Sequence, residues 1–437
     1  MARACWNIKS TRSSIMIKYN IKESRCGNVY KGWIMQLYRQ FALVILYIYY
    51  AILLSSVGAV ISQSILSLGV SKNAASILDG YKDIPAVIVS VFAAGIALRF
   101  GYKKIIIGAL ITTILACIIM PLFPSFTTAK IMFVLVGISF VFIKVSVYPC
   151  IGLITKDKKQ HAALTSIVEG MFMFGVLIGA WIFAHFVDDI NQTSLHWLNV
   201  YWLLAGISVF SIIIWLFNEL PVYEKSDKIE AVNFVSATKE LMAYGFTIFF
   251  LLGAFLYVLV EQGISTWLPT FNREILKLDP SLAIEIGSVM AAASGLGRIL
   301  YGIILRRFNW FMPILLSVII AMLLIILSVI WPPHVNHNIS SWLHAPIQTY
   351  IIPALGFFIA PIYPTLNSII LSSLPEKQHA SMSALIISFS ATGSTAGSII
   401  VGRVFGTIGG EGAFLVLLIP LALLAIVLTK LNRKIQN

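Results

Sequence analysis

Charge is what this chain has least of. Only 11% of its 437 residues are charged, whereas 59% are hydrophobic. A water-soluble protein of this length needs far more polar surface, so a soluble globular enzyme is excluded. Cysteine is scarce as well: Cys5 and Cys26 fall near the N-terminus, Cys117 and Cys150 in apolar runs. Their spacing fits neither a metal site nor a disulfide framework, and no metal or other cofactor is expected. Acids number 18 against 31 Lys and Arg, a formal net charge of +13. No basic face or nucleic-acid motif accompanies that excess, so no nucleic-acid partner is expected. A phosphate-binding P-loop is missing, which excludes ATP-driven transport by this chain alone. Clustered His/Asp or serine-nucleophile motifs at helix ends are missing too, so the chain reads as no enzyme.

What is present is a series of long apolar runs with the charges gathered between them. Runs of about 20 or more residues mark membrane-spanning helices. They fall at roughly 40–66, 75–100, 104–123, 130–154, 162–186 and 197–218, and again at 243–267, 283–304, 311–331, 347–373, 381–402 and 412–430. The expected fold is an all-α integral membrane protein of twelve spans. Residues 40–218 form one six-helix bundle and 243–430 the other, joined by a polar linker at 219–242. Residues 1–39 read as a disordered basic tail, with 1–34 too polar for a signal peptide. Met35 leads into the first span, and 431–437 form a short C-terminal tail.

Lys and Arg crowd into the tails and every second loop. The other loops hold only Lys72, Lys130, Arg273, Lys277 and Arg403. By the positive-inside rule, both termini and the linker are cytoplasmic, in a multi-pass protein of the cell membrane. The two halves also repeat each other. "GIALRFGYKK" closes the second span and "GIILRRFNW" the eighth, while Gly175/Gly179 and Gly393/Gly397 place a GxxxG in the fifth and eleventh. Parallel repeats of this kind build a recognised transporter architecture.

On these features the chain resembles the major facilitator superfamily over residues 35–437. The loop motif keeps Arg99, Gly101, Lys103 and Lys104, with Arg306 and Arg307 in the matching 8–9 loop, but Leu98 stands where the family has Asp. "FLYVLVEQGISTWLPTF" and "SGLGRILYG", which contains Arg298, resemble the fucose/glucose–proton symporter branch more loosely, because the first span lacks that branch's acid. The fifth span, "GMFMFGVLIGAW", lacks the proline of drug antiporters. The resemblance implies that spans 1, 4, 7 and 10 line a central cavity between the halves.

Those spans carry the candidate site. Lys144 sits mid-span in "FVFIKVSVYP", with Tyr148 four residues on along the same helical face. Tyr257 stands likewise to Glu261, and Tyr363 to Asn367; Gln262 and Gln63 add amides, and span 1 also offers Tyr50, Ser55 and Ser56. Lys144 either lines the cavity and contacts solute, or ties helices together through Glu169, Asp79 or Asp83. Asp79, Lys82 and Asp83 lie nearly on one face of span 2 and read as a local ion cluster. Glu261, then Glu169, then Asp83 are the candidate proton carriers; for Glu261 the alternative is a salt bridge to Arg298. His334, His337 and His344 share one loop without metal-ligand order.

The reading is a secondary active transporter, acting as a monomer, that moves a small polar solute (a sugar or an organic anion) with protons by alternating access. Proton-coupled efflux of a metabolite, siderophore or drug is the alternative within transport. A non-transporting receptor on the same fold is the alternative outside it.

Overall fold

Lipid offers no water to peptide groups, so a chain this apolar satisfies its backbone inside helices. The computed structural model describes residues 16–155, 157–218, 240–305, 307–330 and 339–436. Among them the regular elements are helices, with one isolated bridge between Leu278 and Ile339. Eleven of the described helices are long and apolar enough to cross a membrane. A further one, Leu78–Phe100, packs among them while carrying Asp79, Lys82, Asp83 and Arg99. The expected twelve-span architecture is closely matched.

Span 1 comprises Met16–Ser55 and Val57–Ser67, span 2 Leu78–Phe100 and span 3 Tyr102–Leu122. Spans 4, 5 and 6 are Phe126–Ile154, Lys158–His185 and Val200–Leu216. Span 7 is Thr247–Glu274, span 8 Pro280–Glu285 with Gly287–Ile304, and span 9 Phe311–Ile330. Span 10 comprises Gln348–Ile359 and Ile362–Ser372, span 11 is Glu376–Thr407 and span 12 Leu418–Gln436. Polar residues set several starts: Ser125 accepts a hydrogen bond from the Thr128 amide, and Asp157 from the Gln160 amide.

Three spans are broken where continuous helices were expected. In span 1 the Ser55 and Ser56 hydroxyls donate to the carbonyls of Ile52 and Leu53, which competes with the helical ladder. Span 10 breaks at Ala360–Pro361, where proline supplies no N–H. The first helix begins at Met16, and because a packed span supplies the costly nucleus, extending it backwards is cheap. Residues 1–15, most of the linker (219–239), Arg306, His334 and His337 lie outside the described residues.

Glycines show the internal repeat as packing. A Cβ at Gly175 would meet the Ile48 carbonyl and one at Gly179 the Ser55 hydroxyl, so span 5 lies against span 1. In the second half, Gly393 and Gly397 press on the carbonyls of Phe255 and Leu259, so span 11 lies against span 7. Likewise Gly137 of span 4 meets Lys82 of span 2, and Gly297 of span 8 meets Phe357 of span 10. Small residues permit these close approaches. Each pairing in one half has its counterpart in the other.

The halves meet along the face opposite the termini, here the distal face. Lys72 Nζ lies 2.6 Å from Glu274 Oε2, and Arg273 donates to both Glu274 and the Ser62 carbonyl. Ser281 donates its amide and hydroxyl to Asp189 across the same seam. Trp181 stacks on Trp342 at 5.6 Å between ring centres. Deeper in, Thr266 of span 7 donates to Asp79 of span 2 at 2.6 Å. The distal face is closed.

Candidate functional site

Beneath this closure lies a cavity of about 340 Å³ between the halves. That volume suits a small solute. Spans 1 and 5 supply Ser55, Ser56, Phe172, Met173 and Phe183, while spans 7 and 8 supply Glu261, Gln262, Met290, Ser294 and Arg298. Lys82 of span 2 also reaches it. The walls are mostly apolar, with a few polar groups that can orient a solute.

Glu261 and Arg298 confront each other across the cavity, with Arg298 Nη2 3.8 Å from Glu261 Oε1. This is an ion pair too long for a hydrogen bond. Arg298, the alternative partner offered for Glu261 by the sequence, lies on the cavity wall. Gln262 lines the cavity beside Glu261. Tyr257, one turn earlier on span 7, is buried and stacks on Tyr363 of span 10 at 5.7 Å. The Asn367 side-chain oxygen is buried without a hydrogen bond. Gln63 is fully buried farther along span 1 and is not part of the cavity lining.

A second group sits beside the first. Tyr148 of span 4 donates to Glu169 of span 5 at 2.6 Å, and Glu169 is exposed. Lys144, half-buried one turn before Tyr148, holds its ammonium 6.0 Å from the centre of the Phe140 ring. Among the described residues no carboxylate lies within ion-pair distance of it. The acids that might have tied it down are engaged elsewhere. Glu169 accepts from Tyr148, while Asp79 and Asp83 flank Lys82 at 3.0 and 3.7 Å.

The loop-motif residues lie away from the cavity. Gly101 adopts φ 88°, which favours glycine, at the turn between spans 2 and 3. Lys103 donates to the Leu216 carbonyl at 2.8 Å, and Arg99 lies over the Phe100 ring. Lys104 and Arg307 are exposed. Sequence reasoning missed the distal seam, since Lys72, Asp189, Glu274 and Ser281 read only as loop residues. One titrating group there lies outside the spans: burial, and secondarily the Asp189 carboxylate, push the Asp279 carboxyl above its ordinary range. No cluster of metal-ligating residues occurs among the described residues.

The fold and cavity can now be set beside known proteins. A comparison with curated protein sequences gives no match. Among solved structures, the nucleoside transporter NupG superposes with a TM-score of 0.73 at 12% identity, covering 91% of this chain and 99% of that one. A bacterial homologue of the human lysosomal transporter Spinster, inward-facing and unoccupied, gives 0.69 at 15% identity, covering 92% and 97%. The E. coli fucose:proton symporter gives 0.58 at 14% identity, covering 90% and 98%. At these identities the likeness shows the fold alone. The family profile of the Major Facilitator Superfamily, however, matches residues 43–398. The chain therefore belongs to the Major Facilitator Superfamily, as a multi-pass membrane transport protein rather than an enzyme.

Proposed function

We propose that this protein is a secondary active transporter that carries a small polar solute together with protons, by alternating access, across the cell membrane. The observation that carries this reading is the Glu261–Arg298 pair: opposite charges from adjacent spans, held 3.8 Å apart in a cavity between the two halves. A pair at that distance keeps its Coulomb attraction yet has no hydrogen bond to break. A proton on Glu261 or a solute at Arg298 can therefore separate the two. Glu169 and Asp83 are the further acids able to carry protons, and Lys144, Tyr148, Tyr257, Gln262, Tyr363 and Asn367 surround the route.

Structural likeness to a fucose:proton symporter supports proton coupling as the mode. Loop charge supports cytoplasmic termini, which makes the closed distal face the external one. Reporters fused after residues 190 and 230 should read external and internal respectively.

The functional test is uptake into proteoliposomes under an imposed pH gradient. Wild type should accumulate solute uphill. Glu261→Gln, which keeps the volume and removes the titrating group, should lose accumulation while retaining exchange of labelled for unlabelled solute. Uphill transport by that variant at the wild-type rate would move the coupling role to Glu169 or Asp83.

A further inference from the structure

We infer that Arg298 is the solute-binding cation of the cavity, and that the solute is a small organic anion presenting a carboxylate, which replaces Glu261 at the guanidinium. This rests on the transport reading above and narrows its substrate class.

The argument begins with unfilled donors. A guanidinium offers five N–H groups in a fixed fork. Arg298 Nη1 is spent on the Met173 thioether at 3.3 Å, a weak acceptor. Its Nη2 faces Glu261 only at 3.8 Å. The Nε atom and the neighbouring Tyr257 hydroxyl are buried, and neither closes a hydrogen bond of normal geometry. An arginine that merely ties helices settles into bidentate contact at roughly 2.7–2.9 Å. Arg298 does not. Its charge is countered by Glu261 at ion-pair distance, while its donors make no close hydrogen bond to a carboxylate.

The other cations compete poorly for the role. Lys82 reaches the cavity but is already held by Asp79 at 3.0 Å and Asp83 at 3.7 Å. Lys144 is not part of the cavity lining and rests over Phe140. The occupant that best replaces a side-chain carboxylate at an arginine fork is another carboxylate, because the two share charge and bidentate geometry. Mostly apolar walls beside the fork leave room for a short carbon skeleton.

Exchange at Arg298 fixes the proton count. Before binding, Glu261 is the counter-ion; afterwards the solute is. If Glu261 stayed charged, the cavity would gain one uncompensated negative charge. Glu261 instead takes one proton from the aqueous side, its carboxylate becoming a carboxylic acid, and the cavity charge is conserved. The groups that act on Arg298 are Glu261 and the Tyr257 phenol on span 7 and Glu169 on span 5. Lys82, with its two aspartates, faces the same space from span 2. Glu169 already accepts from Tyr148, so Glu261, left with only the neutral Tyr257 phenol beside it, is the acid that loses its cation when solute arrives.

The test uses the purified full chain in detergent. Gluconate, glucuronate and lactate are compared with glucose and fucose by thermal shift, and proton uptake on binding is read with an indicator in weak buffer. A carboxylate should bind, more tightly at lower pH, with about one proton taken up per solute. Arg298→Met should weaken that binding roughly tenfold or more, and Arg298→Lys should recover part of it. Glu261→Gln should still bind the carboxylate, now independently of pH and without proton uptake, a result that holds even if Arg298→Met folds poorly. Absence of binding by every carboxylate, or neutral sugars bound equally by wild type and Arg298→Met, would overturn the anion assignment but leave the transport reading standing. A bound carboxylate without proton uptake would overturn the exchange. Proteoliposomes that move no solute of either class would instead overturn the transport reading.

Discussion

An ammonium placed mid-bilayer costs roughly 2.5–3.5 kcal/mol on insertion scales, and Lys144 bears that cost with no described carboxylate beside it. Its nearest described compensation is the Phe140 ring at 6.0 Å, the outer limit of a cation–π contact. The sequence made the charge visible but left two readings open, a tie to an acid or a cavity lysine. The choice turned on how Glu169, Asp79 and Asp83 are spoken for: the aspartates flank Lys82 on their own span, as their spacing suggests, but Tyr148 reaches Glu169 across two helices, which no spacing reveals. The two readings predict different stabilities. Removing one partner of a buried ion pair destabilises by roughly 3–5 kcal/mol, because the other charge is stranded. Lys144→Met strands no acid and relieves the mid-bilayer cost, so its unfolding free energy should fall by no more than about 1 kcal/mol and can rise by up to about 2.5–3.5 kcal/mol. A much larger loss in thermal or denaturant unfolding would reveal an acid partner after all. If Lys144 also draws the anion toward Arg298, the same well-folded variant should show weaker solute binding.

Among the elements, spans 7 and 11 make the closest helix approach in the second half, with spans 1 and 5 as their counterpart. Gly397 sits against the Leu259 carbonyl and Gly393 against that of Phe255. Neither site has room for a Cβ, and a carbonyl cannot yield as a flexible side chain can. Gly397→Leu should therefore separate spans 7 and 11 and cost roughly 1–3 kcal/mol or more, as overpacking does. Fluorescence-detected size exclusion after heating would measure the loss, and a Gly206→Leu control, where a Cβ would meet open space, should be near neutral. Much of this architecture was legible, because a bilayer forces helices and apolar length counts them. The GxxxG spacing identified the close faces without naming the helices they face. Illegible was the break at Ser56, which depends on hydroxyls turning back to their own helix and leaves hydropathy unaltered; the break at Ala360 follows Pro361, which a count of apolar length passes over.

For the molecule as a whole, the distal seam decides which side of the membrane the cavity meets. Its polar contacts are individually weak, since part-exposed ion pairs contribute roughly 0–1 kcal/mol each. Glu274 is the economical place to disturb them, because Lys72 and Arg273 both bond to it. Glu274→Gln should shift the closed-to-open ratio of that face by a few-fold. The shift should appear as faster labelling of a cysteine placed at Ser265 by an impermeant thiol reagent added from the distal side. Acid should act the other way. Asp279 of the second half is pushed up by burial and by Asp189 of the first, a repulsion present only while the halves touch. Its carboxyl therefore holds a proton more tightly in the closed form, so closure releases none and opening releases some. Closure is favoured below the ordinary carboxylate range, and that advantage is lost as pH rises through the elevated value. Labelling at Ser265 should thus accelerate with rising pH across the weakly acidic range. Asp279→Asn should flatten the profile, leaving the face as closed at neutral pH as wild type is in acid. An unchanged pH profile in Asp279→Asn would remove this carboxyl from the control of the distal face and leave the Lys72–Glu274–Arg273 network to hold it.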